Sequence, residues 1–304
     1  MNDTEKRNQN TLHIDKMSVS QMLETLQAEN YNALKAVDRA LKSVEKAIVA
    51  IEPKMKQGGR LFYVGCGTSG RLGVMDAAEC PPTFGIEPDR VTGIIAGGDE
   101  ALKRAVENYE DDAEKGKEAL LGHELSALDC VMGISAAGGA KFVIGALQYA
   151  REKGCTTIAL TNNIDTPIEK NAQYSIVVTT GPEPITGSTR MKAGTSQKLI
   201  LNMISTILMI RMGYVYENLM INLRPDNIKL KKRAVSIVKE LTGCSDEVAS
   251  SCLKASHWDL RRAINAVKGP IFRMRRIYRN ADKFGIGFFS FPKGNIFGKR
   301  RGGL

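Results

Sequence analysis

The 304-residue chain lacks the stretches that would place it in a membrane. No apolar run approaches the ~20 residues that a bilayer span needs, and the opening MNDTEKRNQN is too polar for a secretory leader. Histidine is scarce, with His13, His123 and His257 far apart. The six cysteines form no Cys-x-x-Cys pair, so neither a zinc site nor a disulfide framework is expected; reduced thiols fit a cytoplasmic protein. Two nucleotide-binding patterns are also missing. Gly-x-x-x-x-Gly-Lys-Ser/Thr does not occur. The match to Gly-x-Gly-x-x-Gly, at Gly65, Gly67 and Gly70, has no acid suitably placed after a second strand to bind a ribose. No metal and no cofactor is therefore expected. Acidic charge is nearly absent from the end of the chain: from Pro270 to Leu304, nine Lys or Arg face only Asp282, which puts +8 of the net +10 there. Basic character belongs to a tail rather than to the main fold, and no specific nucleic-acid partner is expected.

What the chain does have is concentrated between Gly59 and Phe84. Leu61-Phe62-Tyr63-Val64 has the length and composition of a buried parallel strand. Gly65-Cys66-Gly67-Thr68-Ser69-Gly70 then interleaves glycines with two hydroxyls. A helix is expected from Arg71 to Glu79, stopped by Pro81-Pro82. Glycines let a ligand approach the backbone, the hydroxyls donate, and a helix start adds orphan N–H groups and the positive end of a dipole. Such a turn suits a phosphorylated ligand, with Gly67, Thr68 and Ser69 as its contacts.

Apolar positions at helical spacing (Met22, Leu26, Leu34, Val37, Leu41, Val44, Ile48, Ile51) predict one or two helices over residues 17–56. Strand-like runs recur at 61–65, 91–96, 129–135, 155–161 and 175–180, with helical patterns between most of them, clearest at 99–118 and 140–153. This alternation predicts an α/β fold of three layers, a parallel sheet flanked by helices, with ligands at the carboxyl ends of the strands. A long helix over 193–212, apolar nearly all round, belongs in a core or at a subunit interface. Just ahead of it, Thr186 to Thr195 gathers four hydroxyls and two cations. That is the composition of a second oxyanion site, with Ser188, Thr189 and Lys192 as candidates. After Pro225 the pattern becomes a small unit of three short helices. The expected domains are thus 1–56, 57–226, 227–268 and a basic tail over 269–304.

These segments carry a family resemblance. GRLFYVGCGTSGRLGVMDAAECPPTFG, IIAGGDEALKRAVENYED and GPEPITGSTRMKAGTSQKLILNMIST resemble the sugar isomerase (SIS) domain of the N-acetylmuramic acid 6-phosphate etherases, over roughly residues 10–268. The helical unit at 228–268 is similar to that family's UBA-like domain. The resemblance implies a dimeric cytoplasmic enzyme of peptidoglycan recycling that acts on a sugar 6-phosphate. It would cleave the D-lactyl ether by elimination and water addition, giving N-acetylglucosamine 6-phosphate and D-lactate. By motif position it implies Glu79 as proton donor and Glu110 as the other acid/base residue. Two carboxylates in different environments can hold the two protonation states such chemistry needs. Glu79, beside the loop and against Pro81 and Pro82, is expected to be buried.

Two departures stand out. Where the family's second loop reads Ser-Gly-Arg-Thr or similar, this chain has Ala137-Gly138-Gly139-Ala140. Two lost hydrogen bonds to a phosphate are worth about 2–4 kcal/mol. The tail from Pro270 does not resemble the family's final helices. The altered loop favours a rival reading, a non-catalytic sugar-phosphate sensor resembling the glucokinase regulatory protein. Retention of both glutamates favours the enzyme.

Overall fold

The computed structural model describes residues 2–106, 108–222, 225 and 228–269; the expected tail from residue 270 and Glu107 lie outside them. Three 3-10 turns, Asp3–Glu5, Gln9–Thr11 and Ile14–Lys16, lead into α1 (Val19–Lys56). A capping box begins this helix: Ser18 Oγ accepts from the Gln21 N–H, and Gln21 Oε1 accepts from the Ser18 N–H. Then come β1 (Leu61–Gly65), α2 (Gly67–Phe84), β2 (Val91–Ile95), α3 (Glu100–Lys103), α4 (Ala113–Leu121), β3 (Cys130–Ile134) and α5 (Lys141–Glu152). They are followed by β4 (Thr156–Thr161), α6 (Pro167–Lys170), β5 (Tyr174–Val177) and α7 (Lys192–Arg211). A two-stranded antiparallel pair, β6 (Val215–Tyr216) and β7 (Leu219–Met220), precedes α8 (Ile228–Thr242), α9 (Asp246–Ala255) and a helical stretch over 260–269.

The five main strands form one parallel sheet in the order β2-β1-β3-β4-β5. Successive side chains point to opposite faces. Leu61 and Tyr63 join a core with α1, α2 and α7, while Phe62 and Val64 join a second core with α4, α5 and α6. Strands buried on both faces favour apolar residues, which is why β1 and β3 stood out in the sequence; β4 is equally buried but carries Thr156, Thr157 and Thr161 around its Ile-Ala-Leu centre. Among the described residues no helix is long and apolar enough to cross a membrane.

Three local expectations need correction. The helix expected over 99–118 is broken: α3 is one turn, and a loop with Asn108 at φ 77° runs to Asp112, whose carboxylate caps α4 by accepting from the Lys115 N–H at 3.1 Å. Glu110 therefore lies on a loop. Helix α2 continues through Pro81 and Pro82 to Phe84. The prolines sit in its last turn, where their missing N–H groups release only two carbonyls, and Gly85, left-handed at φ 63°, closes it. In α1 the buried stripe holds Val37, Val44, Ile48 and Ile51 as expected, but alternates them with Ala33, Ala36, Ala40 and Ala47, so Leu34 and Leu41 point outward.

The chain divides between residues 230 and 231 into two compact units. In the second, Ala234, Ile237, Val238, Ala249, Leu253 and Leu260 are buried, and Ser245 caps α9 by accepting from the Val248 N–H.

Candidate functional site

The glycines after β1 have separate jobs. A side chain at Gly65 would meet Gly70 N at 2.7 Å, and one at Gly70 would meet Gly65 O at 2.6 Å, so these two let α2 press directly on its strand. Gly67 differs: it is left-handed at φ 51°, and nothing lies within 4 Å of where a Cβ would stand. Thr68 and Ser69 belong to the first turn of α2 rather than to a loop before it, and Cys66 at the N-cap offers no side-chain cap. The helix thus starts without a side-chain cap, with open space at Gly67, the arrangement that suits an anion.

Beside it opens a cavity of about 420 Å³ lined by Cys66, Gly67, Arg71, Ala96, Glu110 and Asp111, among others. Arg71 holds one wall, donating to the carbonyls of Leu102 at 3.3 Å and Arg104 at 3.0 Å. Glu110 is exposed, and its own carbonyl accepts the Phe142 N–H at 3.0 Å, which pins it to the start of α5. The Cys66 thiol is pushed up to about 12, by burial and then by Glu110 and Asp111, and so stays protonated. Among the described residues no group of three His, Cys, Asp or Glu could hold a metal ion.

Helix α7 begins alongside α2. Ser69 Oγ donates to Gln197 Oε1 at 2.9 Å, Gln197 Nε2 to Asn162 Oδ1 at 2.9 Å, and Asn162 Nδ2 to Val178 O and Ser196 Oγ. The Ser69 hydroxyl proton is therefore engaged within the protein, leaving the backbone N–H as this residue's free donor. The methyl of Thr68 lies 3.3 Å from where a Cβ on Gly194 would stand. Ser188 and Thr189 are half-buried in the turn just before α7.

The expectation for Lys192 needs correction: its ammonium is buried and committed to an ion pair with Glu29. The start of α7 is already occupied as well. Glu183, wholly buried, accepts from the N–H groups of Lys192 and Ala193, both at 2.9 Å. Burial raises the Glu183 pKa, and those two N–H groups only partly offset it. Burial also pushes Glu29 upward, but bonds from Lys192, Asn10 and Asn8 outweigh it and hold this carboxyl below its ordinary range.

Glu79 is exposed, contrary to expectation. The inward face of α2 is Ser69, Gly70, Gly73, Asp76, Ala77, Cys80 and Phe84, so Glu79 points away with Met75 and Ala78. It also lies twelve residues beyond Gly67, about 18 Å along the axis at 1.5 Å per residue. One chain thus brings Gly67, Thr68, Ser69, Ser188, Thr189 and Glu110 to one edge of the sheet and leaves Glu79 off it. The reading of the sequence missed Asn162, Asn163, Gln197 and Glu183, all buried at this edge. The signal available was a pair of amides directly after the apolar run of β4.

A parallel sheet covered on both faces, with an open helix start after its first strand, is a doubly wound α/β frame, and family profiles narrow it to the SIS-domain proteins. The SIS domain profile matches residues 113–207, that of the glucokinase regulatory protein N-terminal SIS domain matches 43–151, and that of a UBA-like domain matches 233–267. The chain is 48% identical over 268 residues, 88% of each chain, to an N-acetylmuramic acid 6-phosphate etherase of Caldanaerobacter subterraneus subsp. tengcongensis. It is 51% identical to N-acetylmuramic acid 6-phosphate etherase 2 of Enterococcus faecalis, over 81% of this chain and 83% of that one. A phosphoheptose isomerase from Neisseria gonorrhoeae superposes with a TM-score of 0.49 at 19% identity, over 63% of this chain and 98% of that one. The chain belongs to the N-acetylmuramic acid 6-phosphate etherase family.

Proposed function

We propose that this enzyme cleaves the D-lactyl ether of N-acetylmuramic acid 6-phosphate, giving N-acetylglucosamine 6-phosphate and D-lactate. The observation that carries the reading is membership of the etherase family along most of the chain, with Glu110 on the cavity beside the open start of α2. The 6-phosphate sits on the N–H groups of Gly67, Thr68 and Ser69 and takes hydroxyl bonds from Thr68, Ser188 and Thr189. Lys192 contributes indirectly, by holding α7 in place through Glu29.

In the open-chain sugar, a base removes the C2 proton and the electron pair passes to the C1 carbonyl. The C3–O bond then breaks, a carboxylic acid protonates the departing lactate oxygen, and a C2–C3 double bond remains. Water adds at C3 and a proton returns to C2. Glu110 and Glu79 are the two acid/base groups, with Glu79 the proton donor. Since C3 lies within one sugar's length of the phosphate, the 18 Å offset of Glu79 within a chain favours its entry from a second copy. Outward apolar side chains on α1 and α7 (Leu34, Leu41, Ile207, Ile210), together with Met75 near Glu79, support a homodimer. Unpaired thiols throughout the described residues support a cytoplasmic setting.

The test is D-lactate release from N-acetylmuramic acid 6-phosphate by the purified protein. The rival sensor reading predicts tight sugar-phosphate binding with no lactate; the names of relatives at 48% identity favour the enzyme.

A further inference from the structure

Residues 2–11 have no apolar periodicity, yet Thr4, Asn8 and Thr11 are buried. They are buried because this segment is laced across the carboxyl edge of the sheet. The Thr4 N–H donates to Asn163 Oδ1 at 3.3 Å, and Asn163 Nδ2 donates to Thr4 Oγ1 at 3.0 Å. Asn163 Nδ2 also donates to Ala136 O at 2.9 Å, at the end of β3. The Thr4 carbonyl accepts the Gly187 N–H at 3.2 Å. Asn2 Nδ2 donates to Ala137 O at 2.9 Å and Thr11 Oγ1 to Pro184 O at 2.8 Å. One short segment, more than a hundred residues away in sequence, therefore joins the loops after β3, after β4 and before α7.

Gly187 is the junction that matters. It is left-handed at φ 74° and stands immediately before Ser188 and Thr189. Its one N–H goes to Thr4, so Thr4 sets where that turn lies, and Asn163 sets where Thr4 lies. We propose that Thr4 and Asn163 are positioning residues for sugar-phosphate binding: through Gly187 they hold Ser188 and Thr189 against the start of α2 before the ligand arrives. The proposal rests on the assignment of Ser188 and Thr189 to the phosphate. A turn ordered in advance need not be ordered by the ligand, so loosening it weakens binding and leaves the chemical step alone. Among the described residues, neither hydrogen-bonds Glu110 or Glu79.

The test uses the full chain with Thr4→Val and Asn163→Ala, followed by D-lactate release. Thr4→Val keeps the backbone bonds and loses the two of its hydroxyl, from Asn163 Nδ2 and to Glu5 Oε1, and its KM is expected to rise about fivefold; Asn163→Ala is expected to raise KM about tenfold or more. In both, kcat stays within about twofold, the signature of lost binding alone. Thr4→Ser restores the wild-type KM. Unchanged KM in both variants, or a fall in kcat at constant KM, overturns the proposal. Should the variants fail to fold, amide exchange in the wild type decides. The N–H groups of Thr4 and Gly187 are expected to be protected before any sugar phosphate is added, and exchange there as fast as in an open loop overturns the proposal. If the wild type released no lactate, the proposed function would fall, whereas positioning would still be read from calorimetric binding of that same sugar phosphate.

Discussion

Asp76 is buried on the core face of α2, where Asn202 Nδ2 donates to its Oδ1 at 2.6 Å and Ser205 Oγ donates at 3.1 Å. Its Oδ2 and the nearby Tyr63 hydroxyl are buried without completing a hydrogen bond. Burial raises the Asp76 pKa despite those donors. A raised folded value means that the stability it contributes is full below the unfolded value and is lost as pH rises through the folded one. Asp76→Asn is therefore expected to raise the Tm at neutral pH by a few degrees and to flatten that loss, read by calorimetry across pH. Glu29 runs the other way, since its lowered pKa gives stability above the unfolded value that is lost as pH falls through the folded one. Lys192→Met would strand Glu29 as a buried charge at about 3–5 kcal/mol. The double variant with Glu29→Leu should recover most of that in urea midpoints. Glu110→Gln is expected to lower kcat about 100-fold or more with little change in KM, the usual scale for a lost general acid or base.

For whole elements, the start of α2 gives the sharpest contrast. Gly70→Ala would drive a Cβ into Gly65 O and the Ile95 side chain, so the strand and helix must part and the thermal midpoint should collapse. Gly67→Ala meets no atom, and its left-handed backbone costs only about 1–2 kcal/mol; its main effect is expected as a raised KM, because the methyl stands where the phosphate approaches. The strands here were plain in the sequence because a strand covered on both faces is mostly apolar at its centre. The loop from 108 to 112 was not, since its acids and the neighbouring apolar residues mimic a helical period that Asn108 and the Asp112 cap override. The exposure of Glu79 was equally hidden, because it depends on α2 running on past two prolines. Least legible was the segment from residue 2 to 11, whose burial comes from hydrogen bonds to distant loops rather than from any pattern of its own.

At the scale of the molecule, completeness of the site is the open quantity. If Glu79 enters from a second copy, Glu79→Gln and Glu110→Gln proteins are each inactive, yet a mixture refolded together regains activity. Half of randomly paired dimers would be mixed, each with one intact site, giving about a quarter of wild-type D-lactate release. A site completed within one chain predicts no recovery. The capping of α7 by Glu183 carries a further consequence, one of stoichiometry. At the edge where the strands end, α7 already holds an anion of the protein's own making, and the Phe142 N–H near the start of α5 is taken by the Glu110 carbonyl. Among these three helix starts, that of α2 has neither a side-chain cap nor a carboxylate or loop carbonyl on its first N–H groups. Inorganic phosphate titrated into the protein should therefore saturate at one ion per chain and compete with the sugar phosphate for that single place.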